Sequence, residues 1–263
     1  VGDQRRGKCA GTPTGRGASK VIASLPMYDR RETAAANDRL WAAIVDRLGY
    51  GPAALTRSGD VWDHWRDPSL VLSQTCGYPY RAKLAEDVAL VGTPVYDIDC
   101  EAGHYFSVFV VRADDPGSEI HDFAEARFAY NEGLSQSGWA APQTHAAARG
   151  FAFTNCVKSG AHVASAAMVA DARADIAALD AVSWKLMQRW DRFTDGLRVL
   201  ESTEPTPGLP LITAASRDPA AIRAAVEAAL AGLADADRQV LCLKGLTYIE
   251  KARYIAVPTP ASP

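Results

Sequence analysis

The sequence predicts an α/β fold, and three observations carry the prediction. Short apolar runs of strand character alternate with runs whose apolar residues recur at helical spacing, the strand ends lead into polar loops, and Gly, Pro and Asp stand where helices start and stop. With 263 residues, 48% of them hydrophobic, the chain can bury a sizeable core as one large domain or as two lobes.

Val21 to Leu25 is a short strand halted by Pro26, and Met27, Tyr28 and Asp29 form a loop. Asp29 and Glu32 have capping-box spacing, and Leu40, Trp41, Ile44, Val45 and Leu48 mark one face of a helix that Gly49 closes. Val61, Trp62 and Trp65 read as a helix closed by Asp67 and Pro68. The strand Leu70 to Ser73 runs into Gln74-Thr75-Cys76-Gly77-Tyr78-Pro79, whose proline is placed to open a helix through Leu84. Val88 to Val91 is the next strand and Asp97 to Gly103 a loop. Tyr105 to Val111 is the longest β-rich run, ended by Asp114, Asp115, Pro116 and Gly117.

Beyond it a helix is expected near Ser118 to Ala124. Phe128 to Tyr130 is a strand ended by Asn131 and Gly133, and Ser135, Gln136, Ser137 and Gly138 lead into a helix that stops at Gly150. Pro142 lies about one turn inside that helix, either among its free N–H positions or at a kink. Phe151 to Val157 reads as a strand leading to Ser159-Gly160-Ala161-His162, with Ser159 as N-cap. The strand Ile176 to Leu179 ends at Asp180, and Ser183 and Trp184 open another helix. Leu197 to Leu200 reads as a returning strand, Leu211 to Thr213 as a further one, and Asp218 with Pro219 as the N-cap and first residue of a helix through Leu233. The tail from Asp235 reads as helix and loop, with Pro258 to Pro263 frayed.

Composition narrows the function. With 28 basic against 31 acidic residues and no aromatic-basic stripe, nothing favours a nucleic-acid or membrane-surface partner. No run approaches the ~18 apolar residues of a membrane span. Residues 1–20, rich in Gly, Thr, Arg and Lys, have no apolar signal-peptide core and read as a disordered leader, a processed end or a misjudged start. Cys9, Cys76, Cys100, Cys156 and Cys242 show no zinc spacing; Cys76 and Cys100 sit in loops that could meet as a disulfide in an oxidising compartment. Cys76 and His162 lack the third, orienting group of a nucleophile-base pair, and the G-x-G-x-x-G, P-loop and G-x-S-x-G patterns are absent. His64, His104, His121 and His145 follow no metal spacing and read as surface residues. No cofactor and no metal are expected.

Five strand ends carry polar or aromatic groups: Tyr28, then Thr75 to Tyr78, then Ser135 to Ser137, then Ser159 to His162, then Asp180 with Ser183. In open α/β sheets ligands gather outside such ends. The junction at Ser135 offers free N–H groups and the positive end of a helix dipole, which attract an anion without Lys or Arg, although the same serine also reads as an ordinary N-cap. If the chain crosses at Tyr105 to Val111 and returns near Leu197 to Leu200, two lobes face each other across a cleft, 21–104 with 198–263 forming the first and 105–197 the second.

The Ser-Leu-Pro-Met-Tyr opening, Leu-Ser-Gln-Thr-Cys-Gly-Tyr-Pro, Ser-Val-Phe-Val-Val-Arg, Ala-Tyr-Asn followed by Ser-Gln-Ser-Gly, Ser-Gly-Ala-His and Ala-Asp-Ile-Ala-Ala-Leu-Asp together resemble the phosphate, phosphite and phosphonate-binding proteins of ABC importers, over about Val21 to Thr213. The resemblance implies a type 2 periplasmic binding fold with two crossing segments as hinge. It further implies a monomeric, non-enzymatic, periplasmic or extracytoplasmic solute-binding protein that hands a small oxyanion to a permease. The family's hydroxyl-rich triplet maps to Ser135, Gln136 and Ser137, with Gln where a hydroxyl is usual. His162 and Asp180 map to second-lobe contacts, Tyr28, Thr75 and Tyr78 to the first lobe, and Arg81 and Lys158 would add long-range attraction. A sulfonate, nitrate or thiamine-precursor binder stays open within the same fold, as do a pyrimidine-forming thiamine-pathway enzyme and an intracellular ligand sensor.

Overall fold

The computed structural model describes residues 21–263; the leader expected over residues 1–20 lies outside the described residues. Among the described residues twelve strands follow in chain order: β1 (Ile22–Ser24), β2 (Leu70–Gln74), β3 (Val88–Tyr96), β4 (His104–Tyr105), β5 (Ser107–Arg112), β6 (Phe128–Tyr130), β7 (Cys156–Lys158), β8 (Ile176–Asp180), β9 (Leu197–Ser202), β10 (Thr206–Pro207), β11 (Leu211–Ala214) and β12 (Leu243–Thr247). They build two five-stranded sheets, ordered β1-β2-β11-β3-β12 and β7-β6-β8-β5-β9, while β4 and β10 pair separately. In each sheet a parallel set meets an antiparallel one: β1 with β2 and β11 in the first, β7, β6 and β8 with β5 and β9 in the second.

Helices cover both faces of each sheet, which explains strands such as β2 and β8 that are buried at every residue instead of alternating. On the first sheet, α1 (Ala34–Leu48) and α7 (Pro219–Ala231) press Trp41, Ile44, Ile222 and Val226 onto Val71, Leu72 and Leu211. The opposite face packs Trp65, Tyr80, Leu84 and Tyr254 on Leu70 and Ile212. The second sheet buries Phe109, Phe128, Trp139 and Phe153 on one side and Val108, Leu179, Val169 and Trp184 on the other.

Several local expectations hold. Gly49 takes the left-handed conformation (φ 72°) that ends α1, and the Asp218 side chain accepts the Ala220 N–H at 2.9 Å ahead of Pro219. Others fail for identifiable reasons. The Asp29/Glu32 capping box does not form: Thr33 precedes α1, Asp29 binds Asn37 and Arg57, and Glu32 pairs with Arg30. The strand expected over Phe151 to Val157 shrinks to β7, because Phe151 and Phe153 turn into the aromatic core against Phe128. Ser159 is not the N-cap of α5 (His162–Ala170); Ala161 is, and the Ser159 hydroxyl binds Ser165 Oγ at 2.7 Å. Pro142 causes no break. The N–H groups of Ala140 and Ala141 reach back to the carbonyls of Ser135 and Gln136, and this widened turn brings Pro142 into the first turn of α4 (Ala141–Ala147), where a missing N–H costs little.

The tail is more ordered than its composition implies. Its end pairs β12 with β3, and Pro258 to Pro263 is pinned rather than frayed. Arg81 donates to Thr259 Oγ1 and the Pro258 carbonyl, each at 2.9 Å, and Trp139 Nε1 donates to the Ala261 carbonyl at 2.8 Å. His64 and His145 are buried, His64 on the Ser58 carbonyl and His145 on Glu201, so neither is the surface residue expected. Cys76 and Cys100 are free thiols: Cys76 sits against the Gln136 N–H and Cys100 against the His104 carbonyl, so the disulfide is not formed.

Candidate functional site

One cleft of about 1020 Å³ opens between the carboxyl ends of the two sheets, and Tyr28, Cys76, Ser135, Ser137, His162 and Asp180 are among its walls. Its floor is the junction after β6. Ser135 is extended (φ −84°, ψ 128°) and its Oγ accepts the Gly138 N–H at 3.0 Å, so it starts the turn Gln136–Ala140 as a cap. Ser137 lies in the first turn with its Oγ 2.9 Å from His162 Nε2, and its carbonyl accepts the Ser107 hydroxyl. The approach is tight: a Cβ on Gly138 would stand 1.9 Å from Asn131 Oδ1. Glycine is therefore required here for space rather than for a special φ.

Across the cleft, Tyr28 OH donates to Asp180 Oδ2 at 2.7 Å. The other oxygen of Asp180 caps α6 (Ala181–Trp190) by accepting the Val182 and Ser183 N–H groups. Arg30 adds a forked ion pair to Asp191 at 2.9 and 3.0 Å and lies 5.1 Å over the Trp190 ring. Both contacts join residues far apart in sequence, one from the loop after β1 and one from the end of β8 or α6.

Burial sets the electrostatics. It pushes the Asp180 carboxyl up to about 6 despite the N–H groups and Tyr28 that favour its charged form. The Tyr28 phenol is raised well above its ordinary value by burial and then by Asp180. His162 is pushed down to about 4 by burial, with the Ala178 backbone opposing, so it is neutral at pH 7. Burial also raises the Cys76 thiol, and its Sγ accepts the Gln136 N–H at 3.4 Å. Among the described residues no lysine lines the cleft; Arg30 is held by Glu32 and Asp191, and Arg31 is on its wall.

Five expected residues thus share the cleft: Tyr28, Ser135, Ser137, His162 and Asp180. Three do not. Thr75 is fully buried behind Cys76, its N–H donated to the Pro210 carbonyl. Tyr78 packs in the core beside Trp139, its hydroxyl on the Pro260 carbonyl and Arg81 over its ring. Gln136 faces inward with 2% exposure, because successive side chains in a helical turn diverge by about 100° and cannot all point the same way. Arg81 is bound to the tail and Lys158 to Glu132, so neither enters the cleft.

Two residues escaped the sequence reading. Tyr105, assigned only to a crossing strand, buries a hydroxyl with no hydrogen-bond partner, within electrostatic reach of Cys76, Ser137 and Asp180. Asn131, read as a strand terminator, lines the cleft with a buried, unpartnered Oδ1 and its Nδ2 3.5 Å from His162 Nε2. An Asn directly after a strand that feeds a serine-rich junction was the available signal.

The family model for ABC transporter, phosphonate, periplasmic substrate-binding protein matches residues 22–255. The chain belongs to that family. It is a transporter substrate-binding protein of the two-lobed type 2 fold, not an enzyme. PhnD1 from Prochlorococcus marinus in complex with methylphosphonate is 17% identical, with 90% of this chain and 95% of that one covered at a TM-score of 0.72. A binding protein component of an ABC phosphonate transporter from Pseudomonas aeruginosa is 14% identical, covering 90% and 84% at 0.68. A Xanthomonas citri protein bound to ATP is 16% identical, covering 90% and 94% at 0.65. At these identities the likeness to each speaks for the fold. No curated protein sequence matches the chain. Among the described residues no helix is long and apolar enough to cross a membrane, and no group of three or more His, Cys, Asp or Glu is placed to hold a metal ion.

Proposed function

We propose that the cleft closes on the phosphonate head of a small solute, seated at the start of the helical turn after Ser135. The observation that carries this is the Ser137 Oγ to His162 Nε2 contact of 2.9 Å beside a capped helix start, with Asn131 and Tyr105 offering buried polar atoms around it. Ser137 and His162 present hydrogen-bond donors to the oxyanion at the turn that Ser135 caps, Tyr28 approaches from the other wall, and Asp180 accepts from a protonated phosphonate oxygen. Exclusion of water on closure strengthens each of these bonds. A sulfonate has no such proton and would face Asp180 oxygen to oxygen, which disfavours it by like-charge repulsion.

Residues 21–104 with 203–263 and residues 105–202 serve in this reading as the two closing bodies; the return crossing expected at 198 moves to after Ser202, because β9 still pairs with β5. In this reading the protein acts as a monomer and presents the closed form, from the periplasmic side, to a permease, the partner that membership of the family implies.

Titration calorimetry of the full chain with methylphosphonate, phosphite, phosphate and methanesulfonate tests the reading. Phosphonate binding that Ser137→Ala weakens is the expected result. Absence of heat with every phosphorus oxyanion, or preference for the sulfonate, overturns it.

A further inference from the structure

We propose that the cleft carries, beside the head-group seat, an apolar subsite formed by Met27, Val61, Trp62 and Trp65 and faced by Val163, which accepts an uncharged hydrocarbon or aryl substituent on the phosphonate carbon. The inference rests on the phosphonate reading above and adds what the rest of the ligand is.

Size is the first argument. A methylphosphonate occupies roughly 100 Å³, at about 30 Å³ for each water-sized portion. The cleft, open on one side to solvent, spans about 1020 Å³ while Tyr28 and Asp180 already bridge its walls. Most of that space lies beyond the reach of a head group with one carbon.

The second argument is the surface that lines the remainder. Met27, Val61 and Trp62 pack around the buried Trp65 as one cluster, and all four face the cleft. The two indoles stand edge to face at 5.1 Å, Arg66 lies 5.0 Å over the Trp62 ring, and Trp65 Nε1 is turned inward onto the Gln74 carbonyl. An indole whose N–H is spent elsewhere offers the cleft a fixed apolar surface, which suits aryl and alkyl groups. Opposite, Val163 at the start of α5 is 44% exposed.

The third argument is the charge of the wall. Every carboxylate on the cleft wall is engaged: Asp29 by Arg57 and Asn37, Glu32 by Arg30, Glu132 by Lys158, Asp180 by Tyr28 and two N–H groups, and Asp60 by the Trp62 N–H it caps. An aminoalkyl tail would have to share a carboxylate with the partner it already holds, whereas an apolar tail displaces only water.

Calorimetry of the full chain with methylphosphonate, 2-aminoethylphosphonate and benzylphosphonate separates the cases. Benzylphosphonate is expected to bind at least about tenfold tighter than the other two, by the burial of one apolar group. Trp62→Ala should remove about tenfold of that advantage and leave methylphosphonate within about twofold; Val163→Ser, an uncharged change at an exposed position, makes the same test without touching the core. Methylphosphonate binding without a benzyl advantage, an aminoethyl preference, or equal losses for both ligands in the variants overturns the subsite alone. If none of the three ligands binds the unaltered chain, the head-group reading falls with it.

Discussion

The Tyr28 hydroxyl and the Asp180 carboxylate meet at 2.7 Å across the cleft, and the second Asp180 oxygen holds the first two free N–H groups of α6. One side chain thereby caps a helix and ties the two walls together. Tyr28→Phe leaves that carboxylate one donor short, which should destabilise the chain by about 1 to 3 kcal/mol. Urea unfolding measures it. An unchanged midpoint would mean that water replaces the phenol without loss.

The pH dependence of stability follows from two opposed groups. Asp180 holds its proton to about 6 in the folded chain, against about 3.9 when unfolded, so its contribution falls as pH rises between those values. His162 is depressed to about 4 from about 6.5, so the unfolded chain binds that proton first and stability rises across nearly the same window. Each slope is at most about 1.4 kcal/mol per pH unit. The unaltered chain should therefore be flatter between about pH 4 and 6 than either single variant. Asp180→Asn should leave a rising profile and His162→Gln a falling one, in urea midpoints taken across that range.

Gly138 is predicted to tolerate no side chain. Its Cβ would lie 1.9 Å from Asn131 Oδ1 and 3.2 Å from Ser135 Oγ, so Gly138→Ala must push apart two cleft residues. A stability loss of about 1 to 3 kcal/mol and a more than about tenfold loss of methylphosphonate affinity are expected. Gly150→Ala is the control: it strains a left-handed residue (φ 83°) with nothing within 4 Å, and should cost about 1 to 2 kcal/mol with affinity unchanged.

The two serines of the junction should separate by readout. Ser135→Ala removes the bond to the Gly138 N–H and is expected to lower stability by about 1 kcal/mol. Ser137→Ala keeps the cap and should instead weaken phosphonate binding by about 1 to 3 kcal/mol, the worth of a charge-assisted bond. Parallel unfolding and calorimetric titrations on both variants would reject this division if Ser137→Ala bound normally.

Removal of residues 258–263 strips Arg81 of two acceptors and Trp139 Nε1 of the Ala261 carbonyl. Trp139 adjoins Gly138, so the shortened chain should show red-shifted tryptophan emission and a lower melting temperature. Identical spectra would return the tail to the frayed segment that its prolines suggest.

Much of the framework is legible in the residues. Strand–loop–helix alternation, Gly49, Asp180 and Asp218 as helix boundaries, and the serine junction after Tyr130 all depend on local chemistry, where a few neighbouring residues fix the backbone. Boundaries blur where tertiary packing overrides propensity. Phe151 and Phe153 suit a strand yet serve the core around Phe128, and β12 forms only because β3 offers it an edge.

The sequence by itself determined the α/β class, the polar strand ends, the helix that Ser135 caps and the resemblance to oxyanion-binding transport proteins. Only the tertiary structure decided which of those ends share one cleft. Side chains alternate along a strand and rotate around a helical turn, so Cys76 reaches the cleft where Thr75 is buried behind it, and Ser137 where Gln136 turns inward. Asn131 entered the cleft the same way and Tyr105 came to lie buried beside Cys76, because the meeting of Asn131 with His162 and of Tyr105 with Cys76 joins segments far apart in the chain. Local sequence sets a residue's backbone state; the direction and company of its side chain are set by packing across the fold.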